Sequence, residues 1–200
     1  MARSTLFNRQ QALDDAMALF WQKGFYATSM KDLEKTLDMR PGSIYATFGS
    51  KEGLFQEALE RYAELGAGEL EKSLAAGGDP LHGLAEHVRR LGCLGDAGLP
   101  SCACMLVKSL LELGEGEAAS RALAEHCLAD IEARFAAAFI EAKALGQLAD
   151  DAEPALLASR LQVAIMGLRS YAQRRHDPKL LKTLAEDLAA QIEGMRVAAA

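Results

Sequence analysis

Two sets of residues in this sequence have types and spacings that can do chemistry. The first is the run Pro41-Gly42-Ser43-Ile44-Tyr45-Ala46, followed by Lys51. Proline is tolerated in a first helical turn, so the run reads as a short helix through about Thr47. Gly42, Ser43 and Ala46 give it a face small enough for the backbone to approach a base edge or a phosphate. Tyr45 brings a ring to lie beside a sugar-phosphate backbone and a hydroxyl to donate to phosphate. Lys51 opens the next helix, where its ammonium and the free backbone amides can meet the same anion. Thr28 offers a hydroxyl for a helix cap or a phosphate contact on the other side. The second set is the thiols Cys93, Cys102 and Cys104. Cys102 and Cys104 follow Pro100, where a helix is expected to begin, and a thiol in a first turn has its thiolate favoured by the helix dipole. Cys93, at the end of the preceding helix, is the candidate resolving partner. The competing reading is that a free cysteine here is a small buried apolar residue.

The elements that must position these residues are helices. Ala and Leu dominate, proline is scarce and β-branched residues are few, a mixture that loses little side-chain freedom in a helix. An amphipathic segment over 6–23 carries Leu13, Ala16, Met17 and Phe20 at helical spacing and stops at Gly24. Thr28 and Ser29 offer caps for a helix over roughly 29–36. A turn at Asp38-Met39-Arg40 leads into the run from Pro41, with Gly49 as its stop and Ser50 as the next cap. Ile44 and Phe48, four apart, share one face and are expected to anchor on Leu33 and Phe20. Three short helices, the last two joined by a tight turn, make a helix-turn-helix unit over 1–50. A helical body over 51–200 follows, with helices near 51–75, 80–94, 101–114, 117–145, 153–175 and 178–197. The fold class is therefore all-α with about nine helices.

One stretch is more specific than periodicity. Gly24-Phe25-Tyr26-Ala27-Thr28-Ser29-Met30, Asp32-Leu33, and Gly42 through Leu54 resemble the DNA-binding domain of TetR-family repressors over about fifty residues. The resemblance implies that Tyr45, Lys51 and Thr28 contact phosphate and that Arg40, Pro41, Gly42, Ser43 and Ala46 face the groove. Arg40 then becomes the candidate guanine reader, its fork of donors matching O6 and N7, or else a further phosphate contact. The implied function is a sequence-specific regulator, by family default a repressor, that binds double-stranded DNA at a near-palindromic operator. Some members sense electrophiles or oxidants through a cysteine in the region of Cys102 and Cys104.

Since one recognition helix spans few base pairs, two-fold symmetry is expected. Leu156, Leu157, Leu161, Ala164, Ile165, Leu168 and Tyr171, with Leu180, Leu181, Leu184, Leu188 and Ile192, suit a homodimer through residues about 153–197, a four-helix interface. These stripes can also serve the protomer's own core. A small-molecule or reactive inducer would act on the body, where Leu91, Met105, Leu106, Leu110, Phe135, Phe139 and Met166 line a candidate pocket or fill a solid core.

The net charge of −6 is unevenly spread. Residues 1–51 hold seven Lys/Arg and five acids, 7 − 5 = +2, which leaves −8 for the rest. A basic head on an acidic body suits contact with phosphate through the head alone. No apolar run approaches the roughly 20 residues of a membrane span, and a cytoplasmic location is expected. The four cysteines are expected to be thiols. A metal site is not expected, since Cys-x-Cys is a poor spacing for structural zinc and His126 and Cys127 point apart on a helix. His82, His87 and His176 show no ligand spacing. With no nucleophile elbow, phosphate-binding glycine loop or paired carboxylates, neither an enzyme nor a cofactor is expected. A helical enzyme and a structural adaptor are the competing classes, but an adaptor has no reason to carry Gly42, Tyr45 and Lys51 in register.

Overall fold

A computed structural model describes residues 8–94, 98–174 and 178–197. Among them nine α-helices run in the order α1 (Arg9–Lys23), α2 (Met30–Leu37), α3 (Pro41–Phe48), α4 (Lys51–Ala76), α5 (Pro80–Leu91), α6 (Met105–Glu112), α7 (Ala118–Ala144), α8 (Pro154–Ala172) and α9 (Pro178–Glu193). No strand occurs among the described residues. No described helix is long and apolar enough to cross a membrane.

The head is built by local signals. Asn8 caps α1, and Gly24 ends it at φ +88°, a backbone conformation that favours glycine. Ser29 and Asp32 cap α2 reciprocally: the Ser29 hydroxyl accepts from Asp32 N, and the Asp32 carboxylate accepts from Ser29 N. Pro41 opens α3, and Ser50 caps α4 by accepting from Gly53 N at 2.9 Å. Phe20, Leu33, Ile44 and Phe48 are all buried in one apolar cluster, as the four-residue spacing on α3 requires. That cluster crosses residue 50 without a break, taking in Leu54, Phe55, Leu59 and Tyr62 of α4, Met105 and Leu106 of α6 and Leu128 of α7. A second cluster gathers Leu81, Leu84 and Val88 of α5, Phe135 and Phe139 of α7, Leu161 and Leu168 of α8, and Leu181 and Ile192 of α9.

Several expectations need correction. Helix α1 begins at Arg9, and positions 6 and 7 of the expected 6–23 segment lie outside the described residues, as do 95–97 and 175–177, among them His176. Helix α5 ends at Leu91, so Cys93 sits in the turn beyond it, exposed. Helix α6 begins at Met105 and not at Ser101. The acceptors that a helix from Ser101 would need are engaged elsewhere: Arg169 Nε donates to Cys102 O at 3.1 Å and Trp21 Nε1 to Ala103 O at 2.6 Å, while the Gln173 Oε1 oxygen accepts from Ser101 Oγ, Cys102 N and Ala103 N at 3.0, 3.1 and 3.3 Å. Cys104 is therefore the cap residue and Cys102 lies before the helix, both half-buried. The seven residues named as one candidate pocket divide between the clusters. Met105, Leu106, Leu110 and Met166 belong with the first, and Leu91, Phe135 and Phe139 with the second.

Candidate nucleic-acid interface

Helix α3 is held by what it buries and leaves its remaining surface free. Ile44 and Phe48 point into the cluster, and the Arg9 guanidinium closes over the Phe48 ring, 4.9 Å from its centroid, while binding both Glu57 oxygens at 2.8 and 2.6 Å. Arg40, Pro41, Gly42, Ser43 and Ala46 are exposed together, and Tyr45 beside them is 47% exposed. A Cβ placed on Gly42 would meet nothing within 4 Å, so the surface there is open. Between α2 and α3 runs an open groove of about 750 Å³ lined by the cations Lys31, Lys35 and Arg40 and by the acids Asp32, Glu34 and Asp38. The edge of α3 is thus open and small-faced, with Lys31, Lys35 and Arg40 near it as groups that can meet a phosphate backbone.

The sequence reading missed Lys31 and Lys35. Both are exposed on α2 and face the groove with Arg40. The signal was available in their i, i+4 spacing, which places them on one face of a short helix.

Two residues named from the sequence sit differently. Thr28 is fully buried, and its hydroxyl donates to Gly24 O at 2.6 Å, so it does not reach the surface. The exposed Ser29 does the capping instead. Lys51 is half-buried with its ammonium 4.3 Å from the centroid of the Phe25 ring. Burial pulls its pKa down, and Glu112 and Glu117 push it back up. Its first structural role is thus to tie α4 to the α1–α2 turn.

That turn is gripped from the body by α6. The Lys108 ammonium donates to Trp21 O at 2.5 Å and Gln22 O at 3.3 Å, the last carbonyls of α1. One turn on, the Glu112 carboxylate accepts from Phe25 N at 3.1 Å and Tyr26 N at 2.8 Å. The Tyr26 hydroxyl donates to Glu117, in the 3₁₀ turn Glu115–Glu117. The Trp21 indole donates to Ala103 O at 2.6 Å, just before α6. A cation on the helix's carbonyl end and an anion on the amides beyond it match the polarity of α1. The site therefore stands on a rigid connection between head and body.

An all-helical chain whose second and third helices form an exposed, cation-bordered helix-turn-helix unit defines a class, the helix-turn-helix folds. Residues 12–58 match the model of the bacterial regulatory proteins of the tetR family. Over 72 residues the chain is 44% identical to the HTH-type transcriptional repressor ComR of Escherichia coli (strain K12), covering 36% of this chain and 34% of that protein. Over 60 residues it is 45% identical to the repressor BdcR of the same organism, 30% of each. The chain thus spans about a third of the length of the curated relatives it matches. Among solved structures, a cysteine mutant of the TetR family transcriptional regulator CifR, complexed with 26-bp double-strand operator DNA, superposes with a TM-score of 0.85 at 28% identity, covering 94% of this chain and 98% of that one. The reduced form of Escherichia coli NemR shares the fold, with a TM-score of 0.79 at 22% identity over 96% of this chain and 98% of that one. Residues 12–58 are thus similar to the tetR-family regulatory proteins, and the fold as a whole is similar to that of a TetR family transcriptional regulator.

Proposed function

We propose that this protein is a sequence-specific DNA-binding repressor that works as a homodimer and leaves its operator when a signal acts on its body. The observation that carries the reading is the exposed edge of α3, where Gly42, Ser43 and Ala46 form a small face flanked by Tyr45 and Arg40. A helical enzyme or adaptor would have no use for an open face of that kind, bordered by Lys31 and Lys35. Tyr45, Lys31 and Lys35 then clamp phosphates and fix register, while Arg40 and Ser43 reach base edges. Lys51 and the α4 amides supply a further phosphate contact at the cost of drawing the ammonium from Phe25. Repression follows when the bound dimer occludes a promoter.

For the signal, the segment Ser101–Cys104 supports a role in transmission. It bonds to α8 through Gln173 and Arg169 and to α1 through Trp21, so a change there reaches both the body and the head. Covalent modification of Cys102 or Cys104, with exposed Cys93 as partner, is one such change.

The test is fluorescence anisotropy with a duplex taken from upstream of the chain's own coding sequence, across a range of salt. The unmodified protein is expected to bind in the presence of excess unrelated DNA. The double variant Arg40→Ala/Lys35→Ala should bind weakly, with the slope of log affinity against log salt reduced by about 1 for each phosphate no longer neutralised. Unchanged affinity and slope would overturn the docking proposed for α3.

A further inference from the structure

At the start of α6 three groups that favour negative charge converge, and none is paired with one. Arg169 of α8 is half-buried at the junction of the two apolar clusters. Its Nε donates to Cys102 O at 3.1 Å, and its guanidinium carbon lies 5.9 Å from the Trp21 ring centroid and 5.8 Å from that of Tyr62. Among the described residues no carboxylate forms an ion pair with it. Tyr62 of α4 is only 9% exposed, and its buried hydroxyl has no hydrogen-bond partner. It sits beside the Cys104 thiol and the Met105 amide without a well-formed bond to either. Met105 is the first residue of α6, its N–H is one that the helix leaves unused, and no side chain caps that end.

Unpaired buried donors are costly, and natural structures rarely leave them without a purpose. Burial drives the Tyr62 pKa up, so the hydroxyl remains a donor throughout the physiological range. The Arg169 charge also bears on His87 of α5, whose Nδ1 is buried and unpartnered as well. The surroundings are Trp21, Met105, Leu106 and Met166, apolar and aromatic. One fixed cation, two neutral donors and apolar walls suit a single negative charge on an apolar body. A dianion such as phosphate would be under-neutralised and would lose too much hydration here. A planar carboxylate, by contrast, fits the guanidinium fork with two parallel hydrogen bonds.

We infer that the Arg169 guanidinium, the Tyr62 hydroxyl and the first amide of α6 anchor an effector that carries a carboxylate on an apolar body. The inference rests on the proposed role as a regulator, and it supplies the class of signal. A carboxylate that recruits the guanidinium competes with its bond to Cys102 O, and one that recruits the Met105 amide pulls on α6. Lys108 and Glu112 then carry the displacement to the α1–α2 turn.

The chain contains one tryptophan, and Trp21 lies against the site, so its fluorescence reads occupancy with no DNA present. Octanoate is titrated against octanol, equal in chain length and without the charge. Octanoate should give a saturable change below about 1 mM and release the duplex, whereas octanol should do neither. Arg169→Met should weaken the octanoate response by about tenfold or more, and Tyr62→Phe by a smaller factor, since a charged hydrogen bond is worth more than a neutral one. An equal response to octanol, no saturable response, or an undiminished octanoate response in Tyr62→Phe would overturn the site. Should Arg169→Met fail to fold, Tyr62→Phe still decides. Because binding is read without DNA, its failure leaves the operator test untouched, and a failed operator test leaves the fluorescence result standing.

Discussion

Thr28 and Ser29 carry the same functional group on adjacent residues, and the backbone alone decides what each does. Ser29 is extended at the head of α2 and caps it, while Thr28 turns inward and bonds to Gly24 O. Thr28→Val should therefore lower stability by about 1 kcal/mol in urea denaturation, the ordinary worth of a hydrogen bond, and leave the salt dependence of DNA binding unchanged. A weakened salt slope in that variant would restore Thr28 to the interface. His87 gives a second residue-scale outcome. Burial, assisted by the charges of Arg169 and Arg90 and opposed by Glu69, holds its imidazole down at about 4. In the unfolded chain the ring takes up its proton near pH 6.5, so stability is complete above that value and is lost as pH falls toward 4, on the order of 3 kcal/mol in all. Carboxylates held low, such as Glu193 at about 2, act only below the carboxylate range. Urea midpoints at about pH 7.5 and about pH 5 should thus differ for the natural chain and much less for His87→Met. Residue types with a local job were legible in the sequence: Ser50 as a cap, Gly49 as a stop, Pro41 as a first turn. Thr28 was not, because two neighbouring hydroxyls differ only in tertiary burial.

At the scale of elements, helix positions were legible wherever the local pattern determined them and shifted where a distant side chain intervened. Pro100 signalled a helix start at Ser101, but Arg169 and Trp21, both distant in sequence, take the carbonyls of Cys102 and Ala103 that such a helix would need as acceptors, and α6 starts at Met105. Gly24 was readable as a stop for α1. Its second constraint was not: a Cβ there would lie 2.5 Å from Glu112 Oε2. The α1–α2 turn and α6 are fitted to each other, and no sequence periodicity reports a contact across 87 residues. Glu112→Ala removes the acceptor of two backbone amides at once. The Phe25 and Tyr26 amides should then exchange with solvent about tenfold faster or more by NMR, with a smaller change in global stability, because water reaches this edge and covers part of the loss. Operator affinity should fall with it if α6 steadies the head. Amide exchange unchanged from the natural chain would mean that Glu112 is a passenger. The apolar residues of the body show the same limit. Met105 and Phe135 have the spacing of core positions, and only the packing assigns them to different clusters.

For the whole molecule, the open question is what covers α8. Much of the stripe that suggested an interface serves the protomer itself: Leu161 and Leu168 are buried in its second cluster, and Leu181 and Ile192 of α9 join them there. Arg89 of α5 fastens α9 further, its guanidinium reaching Glu186 at 2.9 Å and Glu193 at 2.8 Å. What remains outside is a narrower line on α8, with Leu156 49% exposed, Val163 68% exposed and Gly167 open to solvent with nothing within 4 Å of a Cβ. These positions lie seven and four residues apart, one side of a helix, and Gly167 lets another backbone come close. Two such lines related by a two-fold axis would bury each other and hold two α3 edges at a fixed separation, as half-sites about 34 Å apart or a multiple of that require. Val163→Asp places a charge at the centre of the line without touching the protomer's core. The variant should keep its helical circular dichroism, sediment as a monomer at micromolar concentration, and lose operator affinity by about a hundredfold or more, since each head then binds without the other's effective concentration. A Val163→Asp protein that still sediments as a dimer would show that the two copies meet elsewhere. One that becomes a monomer and still binds operator undiminished would show that a single α3 is sufficient, contrary to the argument for symmetry.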